Sequence, residues 1–226
     1  MFFVELFQKR LQLITRKSGE PTMTNHSYTV IDFETSGLDP KKDRVIEMAA
    51  IRCVNGEIAS EFSTLVRYDG KLSAKITELT GITDEMTATG MDEDTAFRIL
   101  NRMLGDNVLI AHNAAFDLGF LHHSLLRIAG RSFTNSFIDT LTISRARHVY
   151  PHTLKDMSDR YGIPLIGGHR ALNDVIACWE IFKKMNDEQS VEDYMNTLGY
   201  LKKFGPPAWS PSGAILEPIE LKYAPR

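Results

Sequence analysis

Asn55–Gly56 stands between two β-rich runs, residues 44–54 and 57–67, and commits this part of the chain to an antiparallel hairpin. Asn and Gly both tolerate the positive φ that a two-residue hairpin turn requires. Residues 28–33 read as a third strand. The pattern then changes: residues 94–104 carry Phe97, Leu100, Met103 and Leu104 at helical spacing. Residues 107–111 form a short apolar strand that feeds a helix to about residue 129. A brief strand at 137–138, a helix from Thr140 and another over 153–161, closed by Gly162, come next. Residues 171–185 are the clearest helix, with Leu172, Val175, Ile176, Trp179 and Phe182 in one apolar stripe. Strands first, then strands alternating with helices, predict an α/β fold with a mixed central sheet flanked by helices.

The 226 residues suffice for one substantial domain with extensions, and an apolar fraction of 43% supports a buried core. No apolar run reaches the roughly 18 residues that a membrane-spanning helix needs. Cys53 and Cys178 are too few for a disulfide framework or a four-thiolate zinc site, which points to a reducing, cytoplasmic setting. The formal charge of −3 neither requires nor excludes a nucleic-acid partner, because a few nucleotides need only a local basic rim. Residues 1–27 are expected to form an amphipathic extension: Phe3, Phe7, Leu11 and Ile14 recur at helical spacing, suited to docking on the chain's own domain, on a partner or on a membrane surface. After Ser190, the spacing of Val191, Tyr194, Met195, Leu198 and Leu201 predicts one more helix. Five of the nine prolines then fall in the last 21 residues, which a regular helix cannot pass, so an extended arm anchored by Trp209 is expected. The expected division is 1–27, a catalytic domain over 28–186, and a C-terminal segment over 187–226.

Three acidic elements carry the chemistry. In Val30-Ile31-Asp32-Phe33-Glu34-Thr35, strand alternation points Asp32 and Glu34 the same way. Two exposed acids at a strand end are the plain alternative; a cation between them relieves repulsion and desolvation together. Asp117 stands in the first turns of the helix after residues 109–111, where it either favours the helix dipole or joins a site. His112 and Asn113 lie at that junction, placed to position the chain by hydrogen bonds. Asp174 stands in the first turns of the helix that follows Gly167-Gly168-His169, and His169 is expected on the approach loop. Histidine content alone favours His169 no more than His122 or His123. Asp139 reads as the N-cap of the helix from Thr140. Four carboxylates without a thiolate suit Mg²⁺ or Mn²⁺ better than zinc. Four acids and one imidazole are the parts that two-metal phosphodiester hydrolysis needs, with His169 able to take a proton from water near neutral pH.

The ordered motifs Asp32-Phe33-Glu34-Thr35, His112-Asn113-Ala114-Ala115-Phe116-Asp117 and His169-Arg170-Ala171-Leu172-Asn173-Asp174 resemble the histidine branch of the DEDD exonucleases, in particular the proofreading exonucleases of bacterial replicative DNA polymerases. Asp139-Thr140-Leu141, Tyr161-Gly162-Ile163 and Thr80-Gly81-Ile82-Thr83 also resemble family landmarks, and the likeness covers about residues 28–186. It implies an RNase H-like fold and 3′–5′ removal of nucleoside 5′-monophosphates from a single-stranded or frayed DNA end. Asp32, Glu34, Asp117 and Asp174 would hold two divalent ions, Mg²⁺ or Mn²⁺, and His169 would act as general base. Thr35, Leu38, Ile82, His112 and Asn113 would border the substrate. A DNA polymerase or sliding clamp is the partner that such a resemblance implies. RNA-end trimming and a non-catalytic nucleic-acid- or polymerase-binding module are the alternatives.

Overall fold

The computed structural model describes residues 27–165 and 170–223. The expected amphipathic segment over 1–27, apart from its last residue, and His169 lie outside the described residues. β1 (Tyr28–Thr35), β2 (Val45–Val54) and β3 (Glu57–Leu65) form an antiparallel meander. Asn55 (φ 53°) and Gly56 (φ 83°) make the β2–β3 turn, as their identities demand. β4 (Val108–Ala111) then lies parallel to β1, and β5 (Phe137–Asp139) parallel to β4, completing the order β3-β2-β1-β4-β5.

Helices cover both faces. α1 (Ala74–Thr80), α2 (Asp84–Ala88) and α3 (Glu93–Leu104) separate β3 from β4. α4 (Ala114–Ala129) joins β4 to β5, followed by α5 (Thr140–Arg147), α6 (Leu154–Tyr161) and α7 (Ala171–Glu188). This is the RNase H-like mixed sheet that the sequence predicts. α1 and α2 were not expected, since five to seven residues are too few to show a helical period; Ser73 and Thr83 cap them instead.

Alternation along β1 divides the core. Ile31 and Phe33 enter the cluster under α3 and α4, with Phe97, Leu100 and Leu118. Tyr28 and Val30 face the opposite way, into the cluster with Val175, Trp179 and Phe182 of α7. Trp179 and Phe182 stack with centroids 5.4 Å apart, and Tyr28 lies 5.1 Å from Phe182. Burying each such ring contributes roughly 1.5–3 kcal/mol. The rings fix the later turns of α7 over the start of β1, so its first turn stands over the other end, where Asp32 and Glu34 share the α7 face.

The C-terminal segment departs from expectation. In place of a helix through Val191–Leu201 there is one 3₁₀ turn, Glu192–Tyr194, and then a strand, β6 (Thr197–Leu201), paired in parallel with β7 (Ile215–Ile219). Apolar spacing misleads here because neighbouring elements capture the backbone. Asn196 (φ 57°) donates its N–H to Phe137 O and accepts from Phe137 N, while Gly199 N donates to Thr142 Oγ1 at 2.7 Å. The left-handed Asn196 and Gly199 also oppose a helix. Trp209 is an anchor, as expected: it packs against the core beneath α4 and lies 4.9 Å from the His122 ring.

Candidate active site

The site forms at the carboxyl end of β1, where the strand order reverses between β1 and β4. Asp32 and Glu34 project toward α7, and Asp174 in its first turn meets them. One carboxylate oxygen from each of Asp32, Glu34 and Asp174 lies within 4.8 Å of the others. Asp117 comes from α4. Its Oδ1 accepts the Phe33 N–H at 3.0 Å, just past the last described β1–β4 pair. Asp117 thereby grips the backbone between Asp32 and Glu34.

Burial and mutual repulsion oppose ionisation here. Burial, then the charges of Asp117, Asp174, Glu34 and Glu47, hold Asp32 well above the usual carboxylate range. Burial also raises Asp117, only partly offset by its hydrogen bond from Phe33. Glu34 is pushed up to about 7 by burial and by Asp174 and Glu47, with Arg170 acting against them. Such a cluster is electrostatically incomplete by itself. Its hard oxygen donors fit a divalent cation of the magnesium class, which would favour the ionised forms.

Glu47 is the residue that sequence reasoning missed. It lies opposite Glu34 in the β1–β2 register and is 2% exposed. Its carboxylate accepts from Arg170 Nε at 3.1 Å, Arg170 Nη2 at 2.9 Å and the Ala171 N–H at 3.1 Å. Glu47 thus ties the entry of α7 to β2 and fixes the helix that presents Asp174. A lone acid in the apolar run Val45-Ile46-Glu47-Met48-Ala49 was the available signal.

The second motif is built on Asp139. Asn113 takes a left-handed conformation (φ 73°) between β4 and α4. Asp139 caps α5 through Leu141 N and Thr142 N, and also accepts from Asn113 N at 2.9 Å and Ala114 N at 3.1 Å. One buried carboxylate therefore fixes the starts of α4 and α5. His112 makes Nδ1···Thr140 Oγ1 and Nε2···His152 O contacts, each 2.9 Å, so both ring nitrogens serve the scaffold. Burial lowers its pKa and favours the neutral ring.

The expected substrate contacts divide. Leu38 is 81% exposed and borders a cavity of about 550 Å³ with Asn113, Phe116 and Trp209. Thr35 is buried, its hydroxyl bonded to Gly37 O at 2.6 Å. Ile82 is fully buried beside Ile46 and Leu72, so it supports the core and presents no surface to a nucleotide. His122 and His123 gather around Trp209, apart from the acidic residues.

The exonuclease family profile matches residues 29–182, a span that includes Asp32, Glu34, Asp117 and Asp174. The chain belongs to the exonuclease family. It is 36% identical over 184 residues to a PolC-type DNA polymerase III of Clostridium perfringens, and 37% identical over 167 residues to that of Bacillus cereus. These alignments cover 78% and 72% of this chain but 12% of each relative, so the exonuclease spans about one eighth of the curated relatives it matches. Escherichia coli Exonuclease I, solved with a dT13 oligonucleotide, shares the fold with a TM-score of 0.67 at 21% identity. That likeness covers 75% of this chain and 43% of the other. The likeness to the proofreading domain of a bacterial polymerase is therefore upheld by the family match and by these relatives, and the protein is a nuclease.

Proposed function

We propose that this exonuclease hydrolyses the terminal phosphodiester at a single-stranded or frayed 3′ DNA end and releases nucleoside 5′-monophosphates, in proofreading or repair. The observation that carries this reading is the meeting of Asp32, Glu34 and Asp174, two strand residues and one helix residue, with oxygens inside 4.8 Å. The PolC-type relatives favour DNA and a polymerase context.

Asp32, Glu34, Asp117 and Asp174 would hold two divalent ions, Mg²⁺ or Mn²⁺, which when bound supply charge neutralisation at phosphate and a more acidic water. Asp117 keeps the β1 backbone in place through Phe33, and Glu47 with Arg170 holds Asp174 over it. His169, five residues before Asp174, accepts the proton from the attacking water. The bond from phosphorus to the 3′ oxygen breaks, and the shortened strand keeps its 3′ hydroxyl. Leu38 and Phe116 offer an apolar cleft for the last base. A mismatched end costs less to unpair, so selectivity arises before chemistry.

The test is a 5′-labelled strand with a paired, mismatched or single-stranded 3′ end, assayed in Mg²⁺ beside the Asp174→Asn variant. A ladder shortening one nucleotide at a time from the 3′ end, fastest on unpaired ends and lost in the variant, is expected. Internal cutting of circular DNA, full activity after rigorous chelation, or faster cleavage of a matched RNA would overturn the reading.

A further inference from the structure

Asn113 borders a second cavity, of about 390 Å³, on the α5–α6 side of the molecule. Its inner end is the second motif, His112 and Asn113; its outer wall is Tyr150, Leu201 and Leu221. The last β1–β4 pair is Val30↔Ile110, and Asp32 and His112 each stand two residues beyond it in their own segments. Through His112 and Asn113 the cavity lies at the carboxyl ends of the parallel strands, the end of the sheet that also carries Asp32 and Glu34 and where α/β sheets bind ligands.

Part of the outer wall, Leu201 and Leu221, comes from the C-terminal arm beyond the matched residues 29–182, while Tyr150 lies within them. The arm is fastened there by backbone. Tyr150 N donates to Lys222 O at 2.8 Å, and Val149 bridges to Lys222. Fastening sets the Tyr223 ring 6.0 Å from the Tyr150 ring, with the two side chains 66% and 55% exposed. Two large aromatic rings held at solvent beside an apolar groove are costly to leave bare. Arg145, fixed by its bond to Gly199 O at 2.9 Å, adds a cation to the same groove. Apolar walls, aromatic faces and one cation are the chemistry that receives an unpaired base and its phosphate.

We infer that this groove binds the unpaired DNA nucleotides preceding the scissile linkage, stacking a base on Tyr150 and Tyr223, with the C-terminal arm acting as a strand-holding wall. The inference rests on the nuclease reading for the direction of the strand. Asn113 would divide the strand, the terminal base lying toward Leu38 and the preceding ones toward Tyr150.

The test uses the full chain and a Tyr150→Ala/Tyr223→Ala variant, both exposed positions whose backbone bonds survive substitution. Binding of a fluorescent dT15 is measured in Ca²⁺, and hydrolysis of dT15 and of the p-nitrophenyl ester of thymidine 5′-monophosphate in Mg²⁺. The small ester fills only the terminal position. Expected are dT15 binding weakened about tenfold, a matching rise in KM for dT15, and unchanged ester hydrolysis. Unchanged dT15 binding overturns the groove, as does an equal loss on both substrates, which marks a general structural effect. Groove-dependent binding with no wild-type hydrolysis of either substrate sustains the groove and defeats the nuclease reading instead.

Discussion

Two acidic centres of the fold, one buried and one half-buried, behave in opposite ways. Asp139 is 3% exposed and answered by four backbone N–H groups and the Thr142 hydroxyl. Asp32 is surrounded by Asp117, Asp174, Glu34 and Glu47. Both are withdrawn from water, Asp139 fully and Asp32 in part. What separates them is whether the neighbours are donors or other acids, and that distinction marks one as scaffold and the other as the candidate cation site.

The largest effect expected is on turnover. Asp174→Asn should lower 3′-end hydrolysis at least about a thousandfold while the far-ultraviolet spectrum and melting cooperativity persist. Asp139→Ala should do the reverse in kind. Leaving four N–H groups without their acceptor costs about 3–5 kcal/mol, so its melting temperature should fall by roughly 10 °C, with activity lost only in proportion to unfolding. If Asp139→Ala melts like the wild type, the contrast between the two centres fails.

Metal-free stability sharpens the same contrast. Asp32→Asn removes a charge from a repelling cluster and should raise the metal-free melting temperature by a few degrees while abolishing activity. For Glu34 the sign follows from its upward displacement from 4.5 to about 7. The folded metal-free protein holds a proton that the unfolded chain releases. That contribution is fully present below about 4.5 and is lost as pH rises through about 7, at a cost on the order of 3 kcal/mol. Half-buried His112 and buried His152, whose values lie below the usual histidine range, act in the opposite sense. The informative quantity is therefore the difference between wild type and Glu34→Gln. Melts from pH 5 to 8 should show the wild type losing ground to the variant, and added Mg²⁺ should restore it most at the alkaline end.

Smaller effects come from the supports. Glu47→Gln keeps the volume and an acceptor for Ala171 N but weakens the hold on Arg170. It should reduce kcat about tenfold with KM little changed, since Asp174 is displaced and the base cleft is not. Leu38→Ala should raise KM a few-fold and leave the melting temperature alone, because its side chain already stands in solvent.

The mixed sheet and the long helices were legible because the signals were local: the Asn55–Gly56 turn, alternation along β1, and the stripe Val175, Trp179, Phe182. The grouping of Asp32, Glu34 and Asp174 was legible from type and spacing, whereas the bond from Phe33 N that holds Asp117, which is not one of those three, could be seen only in three dimensions. Glu47 escaped because its role depends on Arg170, over a hundred residues away, and Ile82 misled because a motif position does not reveal burial. The C-terminal strands escaped for a related reason. Asn196 and Gly199 are set by partners on β5 and α5, which no local periodicity records.

Crystals of the metal-free protein soaked in Mn²⁺ offer the most direct measurement, read as anomalous density. The expected result is manganese among Asp32, Glu34 and Asp174, with Asp117 alongside, and none at Asp139. Manganese absent from that cluster at an alkaline pH, in crystals that take it up elsewhere, would contradict the cation-binding site on which the proposed chemistry stands.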